Sequence, residues 1–212
     1  MAAVQNTAQS GPGMARGTEV AAMGKGVRFL VVVWLLWAGS GSSVLAGEAG
    51  AMCPASLDFE MRPLTASEPV RLCDRHAGQV LLVVNTASQC GFTPQYEGLE
   101  ALNAELQEQG FSVLGFPSGD FAGQEYEDEA DIAEFCRSNY GIQFPMYEKV
   151  HASRLHATPG TLYHYLGTAA GEFPSWNFHK YLIGRDGEVL ASFGTRLTPE
   201  DRRLRAAIEA AL

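Results

Sequence analysis

The chain has 212 residues, 46% of them hydrophobic and 18% charged, enough for one globular domain with an appendage. Its formal net charge is −9, and no basic patch or basic–aromatic interleaving occurs, which argues against nucleic-acid binding. Acidity of this size serves solubility rather than pointing to a specific partner.

The appendage is at the front. Lys25 and Arg28 precede the apolar run Phe29 to Ala38, a small-residue tract Gly39 to Ser43 follows, and Val44-Leu45-Ala46 offers a cleavage site after Ala46. That order is the layout of a secretory signal peptide. The ten-residue run is too short for a span of about 20 residues, so an uncleaved anchor is the weaker reading. Residues 1–22 lack this order, and Met23, or else Met14, is the expected initiator. Removing residues 1–46 takes away Arg16, Lys25, Arg28 and Glu19, leaving 12 basic and 23 acidic residues and a net charge of −11. The expected product is residues 47–212, exported to a periplasm or secreted.

Gly47 to Pro54 reads as a short flexible leader. Val80–Asn85 is apolar enough to be a buried strand. Thr93 is expected to cap a helix with Pro94 at its first position, and Tyr96, Leu99, Leu102 and Leu106 form its apolar stripe. Gly110 ends that helix and Phe111–Phe116 is the next strand. Glu127, Asp128, Glu129 and Asp131 load the first turn of a second helix, with Ile132, Phe135 and Cys136 on its inner face and Gly141 as its stop. A short helix is expected over Thr161 to Leu166, then a hairpin of Lys180–Ile183 and Glu188–Phe193 turning through Gly184-Arg185-Asp186-Gly187. Thr198-Pro199-Glu200-Asp201 opens the last helix, with Leu204, Ile208 and Leu212 facing inward. The order strand–helix–strand–helix–hairpin–helix predicts an α/β domain with a mixed sheet flanked by helices.

One cysteine falls at a telling place. Cys90, in Asn85-Thr86-Ala87-Ser88-Gln89-Cys90-Gly91-Phe92-Thr93-Pro94, lies between the end of a buried strand and the start of a helix. The strand fixes its position, and the helix start offers free N–H groups and partial positive charge, which favour the reactive thiolate. The plain alternative is a small buried apolar cysteine. Two further stretches weigh against it: Gly115-Phe116-Pro117-Ser118-Gly119-Asp120-Phe121-Ala122-Gly123-Gln124-Glu125, and Pro174-Ser175-Trp176-Asn177-Phe178-His179-Lys180-Tyr181-Leu182. With the first stretch, and in this order, they make residues from about Leu57 to the C-terminus resemble the glutathione peroxidase family.

That resemblance implies a thioredoxin-like fold and a peroxidase whose reactive residue, glutamine, tryptophan and asparagine map onto Cys90, Gln124, Trp176 and Asn177. Cysteine stands at the reactive position, so no selenium is implied and no cofactor is expected beyond a thiol reductant as co-substrate. Taken singly, Gln124 could be a solvated loop residue, Trp176 a core anchor and Asn177 a turn residue. Lys180 reads by default as a surface lysine, and neither His179 nor any other histidine lies in a motif for a base or a metal ligand.

The remaining cysteines bear on how the reaction would be completed. Ser118 stands where many family members carry another cysteine. Glu134-Phe135-Cys136-Arg137-Ser138-Asn139-Tyr140-Gly141 instead resembles the resolving segment of thioredoxin-dependent members, so Cys136 either condenses with oxidised Cys90 or is a structural core residue. If Cys90 pairs with Cys136, Cys53 is left with Cys73, a bridge that would staple the leader to the domain. A lipid on Cys53 competes with that idea, but Met52 makes a poor lipid-attachment motif. No Cys-x-x-Cys occurs, against a thioredoxin-type dithiol and the usual zinc spacings. No long insertion of the tetrameric family members is evident between Leu166 and Trp176, so a monomer is expected. The expected partners are a hydroperoxide and a thioredoxin-like protein or glutathione. Two other readings stand beside the peroxidase: a redox relay or sensor passing its disulfide to a client protein, and an inactive thioredoxin-like binding module.

Overall fold

An unbroken apolar run such as Val80-Leu81-Leu82-Val83-Val84 needs cover on both faces of its sheet. In the computed structural model, which describes residues 52–212, it has that cover. The expected signal peptide and its cleavage site lie outside the described residues. Two short strands, β1 (Glu60–Met61) and β2 (Val70–Arg71), pair antiparallel and lead into α1 (Leu72–His76). The central strand β3 (Val80–Thr86) follows, then α2 (Gln95–Leu106), β4 (Phe111–Pro117), α3 (Glu129–Tyr140), α4 (Leu162–Ala169), β5 (Lys180–Ile183), β6 (Val189–Phe193) and α5 (Arg202–Ala211).

The main sheet has the order β4-β3-β5-β6. β4 runs parallel to β3, with Val80 opposite Phe111 and Thr86 opposite Pro117; β5 is antiparallel to β3, and β6 to β5. Alternation along β3 sends Val80, Leu82 and Val84 to one face, where they meet Tyr96, Leu99 and Leu102 of α2, Ile132 and Cys136 of α3, and Leu204 and Ile208 of α5. Leu81 and Val83 meet the opposite layer, Leu72 of α1 with Leu162, Tyr163 and Leu166 of α4. This is the mixed α/β sheet expected from the sequence. Among the described residues no helix is long and apolar enough to cross a membrane.

The two glycine stops lie where expected, whereas α4, capped by Thr161, runs to Ala169, past the expected Leu166. Gly110 closes the turn after α2 at φ +81°, and Gly141 closes α3 at φ +60°. The α3 cap is Asp128, whose carboxylate accepts from the Ala130 N–H. Two caps need correction. α2 begins at Gln95, and Thr93 turns its hydroxyl back toward the cysteine loop instead of capping the helix. α5 begins at Arg202, capped by Asp201 rather than Thr198; Thr198 closes a preceding turn by accepting from the Asp201 N–H. β1, β2 and α1 were not expected, because each is too short to show a period.

Candidate functional site

The loop from β3 to α2 holds Cys90 by its backbone. Thr93 Oγ1 accepts from the Cys90 N–H at 3.0 Å and donates to the Ala87 carbonyl at 2.8 Å. The Thr93 N–H returns to the Cys90 carbonyl at 3.0 Å. The Phe92 N–H points at the sulfur, 3.4 Å from Cys90 Sγ. Only 8% of Cys90 is exposed, so its sulfur is fixed and nearly dry, with an amide dipole aimed at it.

Gln124 joins this loop to the distant Trp176–Asn177 segment. Its backbone carbonyl accepts from the Gln89 N–H at 2.9 Å, and its side-chain Oε1 accepts from Asn177 Nδ2 at 3.1 Å. Trp176 lies half-buried against Phe121, with ring centroids 6.0 Å apart. Beside it is a cleft of about 460 Å³ lined by Phe92, Trp176, Thr195 and Arg196 among others. The cleft reaches Phe92, two residues from Cys90, but not Cys90 itself. Two non-glycine residues near the bridge adopt left-handed backbone, Ala122 at φ +59° and Phe178 at φ +62°. Such conformations cost about 1–3 kcal/mol each and gather where a site must be held in shape.

Three further residues matter here: Asn85 and Glu125, which the sequence did not single out, and Lys180, which it read as a surface lysine. Asn85, fully buried at the end of β3, donates from Nδ2 to the Trp176 carbonyl at 3.1 Å and accepts the Phe178 N–H on its own carbonyl at 2.6 Å. Lys180 is a correction: it is fully buried, with Nζ donating to Gln95 Oε1 at 2.6 Å and to the Phe178 carbonyl at 2.7 Å. Burial lowers it to about 7, against a smaller opposite pull from Glu200. Its place in the apolar strand Lys180-Tyr181-Leu182-Ile183 was the available clue. Glu125 is 5% exposed, and its Oε1 accepts the N–H groups of Ser88 and Tyr126 at 3.1 and 2.9 Å. Burial pushes its carboxyl upward against those hydrogen bonds.

Cys136 lies on the buried face of α3, 3% exposed. Burial pushes its thiol up to about 11, with Tyr96 pulling it down and the Glu125 charge adding to the rise. Thr86 Oγ1, Ser88 Oγ, the Tyr96 hydroxyl and Glu125 Oε2 are all buried without a hydrogen-bond partner in the protein. Cys136 therefore borders a polar patch inside the core, at the level of the Cys90 loop. His179 is buried as well, with Nε2 2.8 Å from Ser192 Oγ, and burial lowers it to about 4, as befits a neutral structural imidazole. Cys53 and Cys73 are free thiols that neighbour one another; burial, then Cys73, pushes Cys53 up to about 11.

A model of the glutathione peroxidase family matches residues 57–167. A glutathione peroxidase of Lactococcus lactis is 44% identical over 139 residues, covering 63% of this chain and 86% of that protein. A hydroperoxy fatty acid reductase of Synechocystis is 43% identical over 143 residues, covering 63% and 83%. Among solved structures, Trgpx in its apo form is 32% identical with a TM-score of 0.57, covering 74% of this chain and 94% of that one. GPX1 of T. cruzi is 27% identical with a TM-score of 0.54, covering 73% and 96%. With its mixed sheet in the thioredoxin-like arrangement and the match over residues 57–167, the chain belongs to the glutathione peroxidase family and is a peroxidase.

Proposed function

We propose that this protein is an exported thiol peroxidase that reduces hydrogen peroxide or organic hydroperoxides through Cys90. The Cys90 thiolate attacks the terminal peroxide oxygen and the O–O bond breaks. Cys90 becomes a sulfenic acid, and water or an alcohol leaves after taking up a proton. Charge develops on the departing oxygen, and the Gln124 amide, the Trp176 indole N–H and the Asn177 amide are the donors that would stabilise it. The Cys136 thiolate then attacks the sulfenic sulfur, releasing water and forming a Cys90–Cys136 disulfide. A thioredoxin-like dithiol, or glutathione, restores both thiols and carries away the two electrons as its own disulfide. No selenium enters, because the reactive position is cysteine.

The observation that carries this reading is the Gln124 bridge, one residue gripping both the loop before Cys90 and the Asn177 side chain. The hydroperoxy fatty acid reductase of Synechocystis favours organic hydroperoxides among the candidate substrates, and the apolar walls Phe92 and Trp176 suit an alkyl chain. Steady-state peroxide consumption with thioredoxin and with glutathione, in wild type and Cys90→Ser, is the test. Oxygen at position 90 is a far weaker nucleophile, so the folded variant should be inactive with either reductant. Near-normal turnover by it would end the assignment.

The compartment and the front cysteines complete the proposal. Residues 1–46 act as a signal, residues 47–212 form a monomeric domain, and in an oxidising compartment Cys53 pairs with Cys73. Mass spectrometry of the protein from its producing cell should find an N-terminus near Gly47 and that bridge; an intact N-terminus in a cytosolic fraction would refute export. Export also demands a dedicated reductant, since an oxidising compartment would otherwise hold Cys90 and Cys136 as a disulfide.

A further inference from the structure

Away from the cysteines, Asp120, His151 and His156 converge on one point of the surface. The Asp120 side chain is 4% exposed. Its Oδ2 accepts the backbone N–H groups of Ala152 and Ser153 at 2.8 and 2.9 Å. Those bonds lock the carboxylate and present Oδ1 to both imidazoles, His151 Nδ1 at 2.7 Å and His156 Nδ1 at 3.3 Å. Ser153 Oγ also lies 2.9 Å from His156 Nδ1. One ligand atom from each of the three residues lies within 4.8 Å of the other two. The peroxidase chemistry uses none of them.

We propose that Asp120, His151 and His156 form a binding site for a borderline divalent transition-metal ion, with zinc as the type case. Two imidazole nitrogens and one carboxylate oxygen suit such ions and offer little to magnesium or calcium, which take oxygen ligands. At metal–ligand distances of about 2.0–2.2 Å, a tetrahedral centre sets its ligand atoms about 3.3 Å apart. Asp120 Oδ1 and His156 Nδ1 already have that spacing. His151 need only withdraw by about 0.6 Å. Its side chain is 71% exposed and that of His156 52%, so neither ring is held by packing and the ion has an open approach. The backbone bonds to Oδ2 supply the outer-shell support that metal-binding carboxylates need. His151 and His156 are five residues apart, and the sequence hid the set because its carboxylate lies 31 residues upstream of His151.

The site also touches the fold's business end. Asp120 precedes Phe121, which packs on Trp176, and lies four residues before Gln124. A bound ion would pin that loop to the segment carrying His151 and His156.

The test uses the full-length protein, fully reduced, as wild type, His151→Ala, His156→Ala and the double variant. Both histidines are exposed, so the variants should fold. Zinc affinity is read by competition with a chromophoric chelator, and thermal unfolding is followed with and without zinc. Losing an outer-shell partner costs 10–100-fold in affinity, so losing a ligand should cost on the order of 100-fold or more. Wild type should bind one equivalent and gain thermal stability that the double variant does not. Equal affinity in wild type and double variant, or a cobalt complex with thiolate charge-transfer absorption, would place the metal on the cysteines and overturn the proposal. Binding by wild type only in the millimolar range would overturn it too.

Discussion

Asn85 and His179 exchange two hydrogen bonds where the central strand ends. The Asn85 N–H donates to the His179 carbonyl at 3.4 Å, and the His179 N–H donates to Asn85 Oδ1 at 3.1 Å. With its bonds to the Trp176 carbonyl and the Phe178 N–H, Asn85 holds three residues, Trp176, Phe178 and His179, of the segment that carries Asn177. One strand-end amide thus ties together two stretches of chain 91 residues apart in sequence.

Asn85→Ala should show what that tie is worth. It leaves the buried His179 N–H without its side-chain partner, at about 1–3 kcal/mol, and frees the part-buried Trp176 carbonyl as well. Denaturant unfolding should move to clearly lower denaturant, and oxidation of Cys90 by peroxide should slow because Trp176 and Asn177 are no longer fixed. An unchanged midpoint and an unchanged second-order rate would show that the segment holds itself.

Gln124 and Asn177 can be tested as a pair. Gln124→Ala removes the acceptor for Asn177 Nδ2, and Asn177→Ala removes the donor; each should lower the rate of attack on peroxide by on the order of 10²-fold. The double variant should fall short of the product of the two losses, because each side chain positions the other. Strict additivity would mean that the 3.1 Å contact is incidental to the reaction.

The legible parts of this chain were those whose physics is local. The unbroken apolar run Val80–Val84 and the period along Tyr96, Leu99, Leu102 and Leu106 express burial, and Gly110 and Gly141 were recognisable because only glycine takes up left-handed backbone without cost. Thr93 and Thr198 misled because a hydroxyl before a proline signals a cap equally well wherever tertiary structure later spends it. Thr93 is spent on Cys90. Lys180, Asn85 and Glu125 were opaque for the opposite reason: what makes each tolerable in the core is a partner brought from 85, 91 or 37 residues away. Asp120, His151 and His156 belong to the same class.

Lys180 should leave a mark on stability as pH changes. Burial lowers it to about 7, against 10.5 for an ordinary lysine. Between those values the unfolded chain holds more protons than the folded one, so this group makes stability rise with pH across that window. Below it both states carry the charge, and the folded protein bears the full cost of burying it. Lys180→Met should therefore flatten the profile, losing stability relative to wild type as pH climbs from about 7 toward 10. Urea unfolding at several pH values reads this directly, and parallel profiles would show that Lys180 stays charged through its bonds to Gln95 and Phe178.

Cys136 carries the most exacting prediction. In the resting fold its thiol is pushed up to about 11 by burial, with the Glu125 charge adding to the rise. It is therefore a poor nucleophile until α3 loosens and water reaches it. Cys90 and Cys136 are free, buried thiols in the resting fold, and a disulfide between them would need their Cβ atoms within about 4.5 Å. Cys136→Ala should leave the first attack intact: one equivalent of peroxide is consumed at the wild-type rate, since Cys136 contributes nothing to breaking the O–O bond. Resolution then fails. The Cys90 sulfenic acid should accumulate and pass to the sulfinic acid as peroxide is raised, visible as added oxygen atoms in the intact mass. Turnover with thioredoxin should collapse, while a small thiol able to reach Cys90 could still support some activity. If the variant instead turns over normally with thioredoxin, the reductant attacks Cys90 directly and Cys136 serves only to fill the core beneath Tyr96.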